Sequence, residues 1–426
     1  MESHATKRST TQLAWQDVLG TRLTQEDEVI ADPSSLDENR AYYFEFVALP
    51  AKHPTADKPS RRVLHKWLCS FPQNALKEIQ ELLKWINFLA DPRSTEDVAR
   101  AHSFDDLVLV ERPPRRFLVV INPISGAGKG MKVYQKKVAP AFAYAHIITD
   151  IQLTERAKHG VDIAKQVDPS KYDAVVTVGG DGSLRETLQG LMARPDWQEA
   201  IRMPLGVIPS GSGIGLFAAK MHAARELFVP VSAAFVLAKG VPHPLDITVV
   251  RNPFGETMYS FLSTTWALFA DVDLGSEHLR FLGLLRFTIT AVNRIVFIHR
   301  AYQGTIWYLE DDETRGYQPQ PYDFERSTDR PGLDLVGAVE EGALAADGSG
   351  GRWRKIESSF HMMAVMSISH AATDVHMAPG ARFNDGYCYL IMLNAMHSRK
   401  DLIKMVLTAE RGEHVNVKSA EFIKTR

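Results

Sequence analysis

The chain has 426 residues, 45% of them apolar and 23% charged, a formal net charge of −2 and two cysteines. That length suits about two domains plus an extension, and the near-zero charge gives no global attraction to nucleic acid or an anionic membrane. Cys69 and Cys388 cannot form a disulfide framework or a cysteine zinc site, which fits a reducing, cytoplasmic compartment.

The N-terminus has no apolar signal core, and no run reaches the ~18 apolar residues of a membrane span, so membrane contact is expected to be peripheral. The first ~35 residues are polar and read as a flexible lead-in. Tyr42 to Leu49 predicts a strand, followed by a basic loop with Lys58, Arg61, Arg62 and Lys66. From Ala75 to Leu89, the residues Leu76, Ile79, Leu82, Leu83 and Ile86 recur at helical spacing, and Pro92 closes the segment. Residues 1–113 are expected to be an α+β extension, serving as a membrane- or partner-docking module or as a structural cap. Pro113-Pro114-Arg-Arg116 marks its end.

Three apolar runs then each end in a glycine-bearing loop. They are Phe117–Ile121 before Asn122-Pro-Ile-Ser-Gly-Ala-Gly-Lys-Gly130, Asp173–Val178 before Gly179-Gly-Asp-Gly182, and Leu205–Ile208 before Pro209-Ser-Gly-Ser-Gly213. Short β-branched runs suit buried parallel strands, and glycine at their ends lets backbone N–H groups approach an anion. Three such loops at one sheet edge predict a nucleotide-phosphate site. The first is not a Walker A loop, since Gly130 rather than Ser or Thr follows Lys129. It is not a dinucleotide fingerprint either, since Met131 holds the third glycine position.

In the second loop, glycines expose Asp181, which can take a proton from an attacking hydroxyl or organise a metal. The helix expected from Ser183 buries Leu184, Leu188 and Leu191 and leaves Glu186 to face the cleft. Between the loops, Thr154 is the expected N-cap of a helix running through His159, and His159 reads as structural. Pro242 to Asp246 marks a crossing into a β-rich part. Strands are expected at Tyr259–Ser263, Gly304–Leu309, His361–Met366 and Tyr387–Leu393, with one helix near Gly283–His299. Residues 310–352, rich in Pro, Gly and acidic side chains, read as an exposed insertion. Asp271-Val-Asp273 reads as two carboxylates at strand spacing, able to recognise an ammonium group.

Asn122-Pro, Gly179-Gly-Asp-Gly with Glu186, and Pro209-Ser-Gly-Ser-Gly213 together resemble the diacylglycerol-kinase-type catalytic domain of lipid kinases. Leu153-Thr-Glu-Arg, Arg194-Pro-Asp-Trp197 and Ala270-Asp-Val-Asp-Leu274 narrow the resemblance to the eukaryotic sphingosine kinases, over roughly 114–426. It implies an α/β nucleotide-binding domain with a parallel sheet and helices on both faces at 114–245. A mostly antiparallel β lipid-binding domain would follow at 246–426.

The implied reaction is ATP- and Mg2+-dependent phosphorylation of the primary hydroxyl of a sphingoid base, with Asp181 as the catalytic aspartate. The resemblance assigns nucleotide contacts to Asn122, Pro123, Ile124, Thr154, Glu155, Arg156, Ala157, Lys158, Gly179, Glu186, Gly211, Ser212 and Gly213, with Arg280 and Arg286 reaching back to the phosphates. It assigns the lipid headgroup to Ser263 and Asp273. Where the family has Asn after the third loop, this chain has Ile214. The family also carries a late Asp-Gly-Glu motif that helps bind magnesium and nucleotide. Asn384-Asp-Gly386 is no substitute, and the sequence stops at Phe422-Ile-Lys-Thr-Arg426. The expectation is a shortened kinase or an inactive lipid- or nucleotide-binding relative, with a diacylglycerol or ceramide kinase as a third reading.

Overall fold

The structure, a computed structural model, describes residues 13–25, 28–29, 41–52, 59, 61–211, 214–276, 278–279, 285–298, 300–310, 342–343, 351–396 and 398–425. The chain forms two compact units. One comprises Met1–Phe117, Tyr134–Asp150 and Ala224–Val241, and the other Leu118–Val133, Ile151–Ala223 and Pro242–Arg426.

The first unit holds an antiparallel sheet of β1 (Val18–Gln25), β2 (Glu28–Val29), β3 (Tyr42–Ala48) and β4 (His65–Phe71), in the order β2-β1-β3-β4. The strand expected at Tyr42 and the helix expected at Ala75 are both present, the latter as Leu76–Ala90. That helix turns Ile86 and Ala90 onto Val18 and Phe46. Asn87 binds its side-chain oxygen to the Thr21 N–H at 2.7 Å.

The expected flexible lead-in is corrected here, because β1 is almost wholly buried. Its Thr21, Thr24 and Gln25 are as buried as its Val18 and Leu19, so it lacks the apolar–polar alternation that announces a half-buried strand. The basic loop is corrected as well. Lys66 lies in β4 and pairs with Glu45, while the Arg62 side chain is largely covered; Lys58 lies outside the described residues. The Arg62 guanidinium bridges Asp17 at 2.7 Å and Glu226 at 2.6 Å, donates to the Leu49 carbonyl, and sits 3.4 Å above the Phe235 ring.

β5 (Arg116–Ile121), β6 (Ile148–Leu153), β7 (Ala174–Gly179) and β8 (Leu205–Pro209) form a sheet in the order β6-β5-β7-β8. β7 and β8 pair in parallel. β6 runs parallel to β5, since Ile148 N–H donates to Arg115 at one end and Thr154 N–H to Ile121 at the other. The strands are the apolar runs expected from the sequence, and β5, β7 and β8 are nearly solid in buried residues. Helices His159–Gln166 and Asp181–Met192 flank the sheet, packing Ile163, Ala164 and Leu191 onto Leu118, Val120 and Val175.

Beyond a hairpin of β9 (Thr248–Arg251) and β10 (Thr257–Ser260), the strands are antiparallel. They are β11 (Ser263–Ala267), β12 (Tyr302–Glu310), β13 (Arg352–Met366), β14 (Cys388–Asn394) and β15 (Ala420–Thr425). The 15-residue β13 pairs with β12 through its first half and with both β11 and β14 through its second, around an irregularity at Phe360–Met362. β14 then pairs with β15, and β15 meets β12 at Thr425–Glu310, so the pairings close into a ring. Most of the expected insertion lies outside the described residues.

The helix expected near Gly283 is Leu285–Asn293, continued by a π-helical turn at Arg294–Ile298. Its Ile289, Val292 and Val296 are about half exposed rather than packed. Among the described residues no helix is long and apolar enough to cross a membrane.

Arg62→Ala leaves buried Glu226 and largely buried Asp17 without their cation. Removing one partner of a buried pair costs about 3–5 kcal/mol, so urea unfolding followed by tryptophan fluorescence should show a clearly earlier first transition. A native-like midpoint would show that the bridge contributes nothing.

Candidate functional site

The carboxyl ends of β5, β7 and β8 bring the three glycine loops together within the second unit. Asn122 N–H donates to Val178 at 3.2 Å and Ser210 N–H to Gly179 at 3.3 Å, so each loop leaves its strand in register with its neighbour. Asn122 turns the first loop by accepting the Ile124 N–H on Oδ1 at 3.1 Å, which leaves Pro123 and Ile124 exposed. Ser125 and Ser210 share a hydroxyl hydrogen bond of 2.9 Å between the first and third loops. Gly126 has φ +59°, and a Cβ there would lie 1.7 Å from the Ser210 carbonyl oxygen. Only glycine permits that approach.

Gly179 is also closely approached, since a Cβ would meet the Ser183 hydroxyl at 2.5 Å. Gly211 is exposed beside Gly126; Ser212 and Gly213 lie outside the described residues.

Asp181 opens the helix Asp181–Met192, two residues earlier than expected, with extended Gly180 as its N-cap. Its carboxylate accepts the Gly215 N–H at 2.6 Å and the Leu216 N–H at 3.3 Å, at the start of the helix Gly215–Ala223. Burial raises its pKa to about 6, while the two amides pull the other way and only partly offset it. A carboxylate tuned near neutrality is suited to general-base work. Ile214, the departure from the family pattern, is buried, so its side chain belongs to the core and not to the phosphate cradle.

The amides of Gly215 and Leu216 were not singled out in the sequence. The signal was present: a glycine just after the third loop, where a Cβ would lie 2.6 Å from the His370 carbonyl and 2.5 Å from Leu262 Cδ1.

Thr154 follows β6 and bonds to its sheet neighbour; it is not an N-cap. The helix starts at His159, with Lys158 as N-cap in the left-handed region at φ +61°. Glu155, Arg156, Ala157 and Lys158 form the exposed loop between them. His159 accepts the Glu155 N–H on Nδ1 at 3.0 Å, and Arg156 pairs with Asp162 at 2.5 Å. Glu186 reaches back to this turn, accepting the Lys158 and Gly160 N–H groups at 3.1 Å each.

Ser263 opens β11, directly after the Leu262 that packs on Gly215. The expected acidic strand is a helix, Leu268–Gly275, following Ala267 at φ 60°, ψ −128°. Asp271 and Asp273 are therefore about 200° apart around an axis, not on one strand face. Asp271 accepts the Tyr302 hydroxyl at 2.8 Å, and Asp273 is exposed. Arg280 and the side chain of Arg286 lie outside the described residues. No group of three His, Cys, Asp or Glu side chains among the described residues is arranged to hold a metal ion.

Residues 116–250 match the diacylglycerol kinase catalytic domain family. Sphingosine kinase 1 of Rattus norvegicus is 30% identical over 310 residues, 71% of this chain and 78% of its own length. The chain belongs to the sphingosine kinase family of lipid kinases. Sphingosine kinase 1 of Arabidopsis thaliana is likewise 30% identical over 321 residues, 74% of this chain, but only 63% of that longer protein is spanned. Ceramide kinase of Homo sapiens is 30% identical over 310 residues, 66% of this chain and 55% of its own length.

Because the Asp181 pKa is raised by folding, its contribution to stability is complete below the ordinary value of 3.8. It is lost as pH rises through about 6. Asp181→Asn carries no ionisation penalty and keeps an acceptor for the two amides. Calorimetric melting should show the variant gaining on the native chain between pH 4 and pH 6, with a constant advantage above that. A melting difference independent of pH would place the carboxylate in solvent.

Proposed function

We propose that the chain transfers the γ-phosphoryl group of ATP to the primary hydroxyl of sphingosine or a related sphingoid base. Asp181 carries this reading, as a carboxylate desolvated to a pKa of about 6 where the phosphate-type loops meet. ATP supplies the phosphoryl group. Asn122, Pro123, Ile124, Thr154 to Lys158, Gly179 and Gly211 to Gly213 form its cradle, with Arg280 and Arg286 as counter-charges for the phosphates. The glycine approaches at Gly126 and Gly179 support that fit, because they leave backbone and small hydroxyls facing the anion. Mg2+ usually binds through one or two carboxylates plus substrate phosphates, so the lack of a ready-made protein cluster among the described residues suits an ion that arrives with ATP.

In the transfer, the acceptor O–H gives its proton to Asp181 as the new O–P bond forms and the bond to the leaving ADP breaks. The amides of Gly215 and Leu216 keep the carboxylate aimed. Asp273, exposed on its helix, is the proposed reader of the sphingoid ammonium, with Ser263 beside the headgroup. Residues 114–245 would then serve the nucleotide and 246–426 the lipid. The half-exposed Ile289, Val292 and Val296 support peripheral contact with the membrane that holds such a substrate.

The likeness to a ceramide kinase favours a second reading, in which the acceptor carries an amide and Asp273 has no cation to pair with.

Incubation with labelled ATP, Mg2+ and sphingosine, ceramide or diacylglycerol tests these readings. Sphingosine should be labelled, and the rate should fall as pH drops below about 6, where Asp181 gains its proton. Asp181→Asn should lower turnover by ~10²–10⁴-fold, the usual worth of a general base. Asp273→Asn should raise KM for sphingosine. Full activity in Asp181→Asn sinks the assignment, and labelling of ceramide unaffected by Asp273→Asn selects the second reading.

A further inference from the structure

The exposed loop Glu155–Lys158 precedes a helix that cannot cap itself. Lys158, its N-cap residue, has left-handed backbone and offers no side-chain bond to the first turn. The free amides are satisfied from another helix. Glu186 places Oε1 on the Lys158 N–H and Oε2 on the Gly160 N–H, both at 3.1 Å, so each oxygen of one carboxylate holds one end of the turn. The approach requires glycine, since a Cβ on Gly160 would lie 2.8 Å from Glu186 Oε2 and 3.1 Å from Glu186 Cβ. One turn further along, Gly190 performs the same service. A Cβ there would meet the Val161 carbonyl at 2.4 Å and the Ala164 methyl at 2.6 Å. The two helices thus press together through one glycine each, with the Glu186 fork at the end nearest the loop.

We infer that Glu186 is a positioning residue, which fixes the 154–158 loop for the nucleotide by capping the following helix. The role rests on the nucleotide-binding reading proposed above. A carboxylate near a helix N-terminus is favoured by both the unpaired amides and the dipole. Each oxygen holds one backbone donor, so moving Glu186 away would release two amides, and carrying it to the phosphates would bring a negative charge toward an anion. His159, which holds the Glu155 N–H, and the Arg156–Asp162 pair fasten the same loop from its other side.

Hydrogen exchange on the full chain without nucleotide, combined with calorimetric binding of a non-hydrolysable ATP analogue, tests the role. Glu186→Ala should lose protection at the Lys158 and Gly160 amides. It should also weaken analogue binding about tenfold, the scale of one lost charge-assisted hydrogen bond. KM for ATP should rise while kcat at saturating ATP stays within about twofold, the pattern of lost uniform binding. Glu186→Gln, which keeps one acceptor oxygen, should recover part of both effects. Gly160→Ala leaves the carboxylate intact but displaces it, and should reproduce Glu186→Ala. The inference is overturned if Glu186→Ala weakens binding while the amides stay protected and Gly160→Ala binds normally, since Glu186 would then be a direct ligand. It is equally overturned if protection is lost and affinity is unchanged. A native chain that shows the expected binding pattern but labels no lipid would end the lipid-kinase reading and leave the positioning role standing.

Discussion

The candidate site depends on one contact, the Asp181 carboxylate set on the first two amides of the helix Gly215–Ala223. It joins the start of one helix to the start of another. Through Gly215 it also reaches Leu262 and the His370 carbonyl, on segments far away in sequence. A side chain at Gly215 would have to displace a backbone carbonyl, and with it the amide that aims Asp181. Desolvation and hydrogen bonding compete at this carboxylate, and the raised pKa shows that desolvation wins. Such a group costs stability at neutral pH, an expense that sites performing proton transfer commonly carry.

The sheet makes that contact possible. Parallel strands deliver their carboxyl ends to one edge, where loops and helix N-termini collect. The Ser125–Ser210 bond and the approach of Gly126 to Ser210 lock the first loop to the third, as Asp181 and Gly215 lock the second to the helix after the third. Apart from Asp181, the cradle is therefore braced by side-chain hydroxyls and bare backbone, groups that can serve an anion without bringing negative charge to it.

Much of this was legible in the sequence, for physical reasons particular to each part. Strands β5, β7 and β8 are covered on both faces, so they appear as unbroken β-branched runs with glycine at the exit. Asp181 stood out because glycines surround it. β1 was missed because Thr21, Thr24 and Gln25 are polar yet buried, a placement that no local pattern reveals. Asp271-Val-Asp273 was misread because a short apolar stretch fits period 2 and period 3.6 equally well. Ala267, with φ of 60°, ends the strand and lets the helix begin. Thr154 looked like a cap because it had the right side chain ahead of a helical pattern. The actual acceptor, Glu186, comes from 26 residues beyond Gly160, a non-local solution invisible to any window around the helix start.

Two of the non-glycine residues with positive φ mark where the chain departs from regular structure near the proposed ligands. Lys158 closes the loop proposed for the nucleotide, and Ala267 precedes the helix that carries Asp273. Each costs of order 1–3 kcal/mol and persists only where its surroundings over-determine it. Around Lys158 the determinants are visible: a carboxylate fork, two glycine approaches and an ion pair. Around Ala267 they are the ladder of β11 on β13, which pairs Ala267 with Met362, and the buried Leu268 that follows. In both places a packed scaffold holds an unfavourable backbone turn beside a segment proposed to meet a ligand.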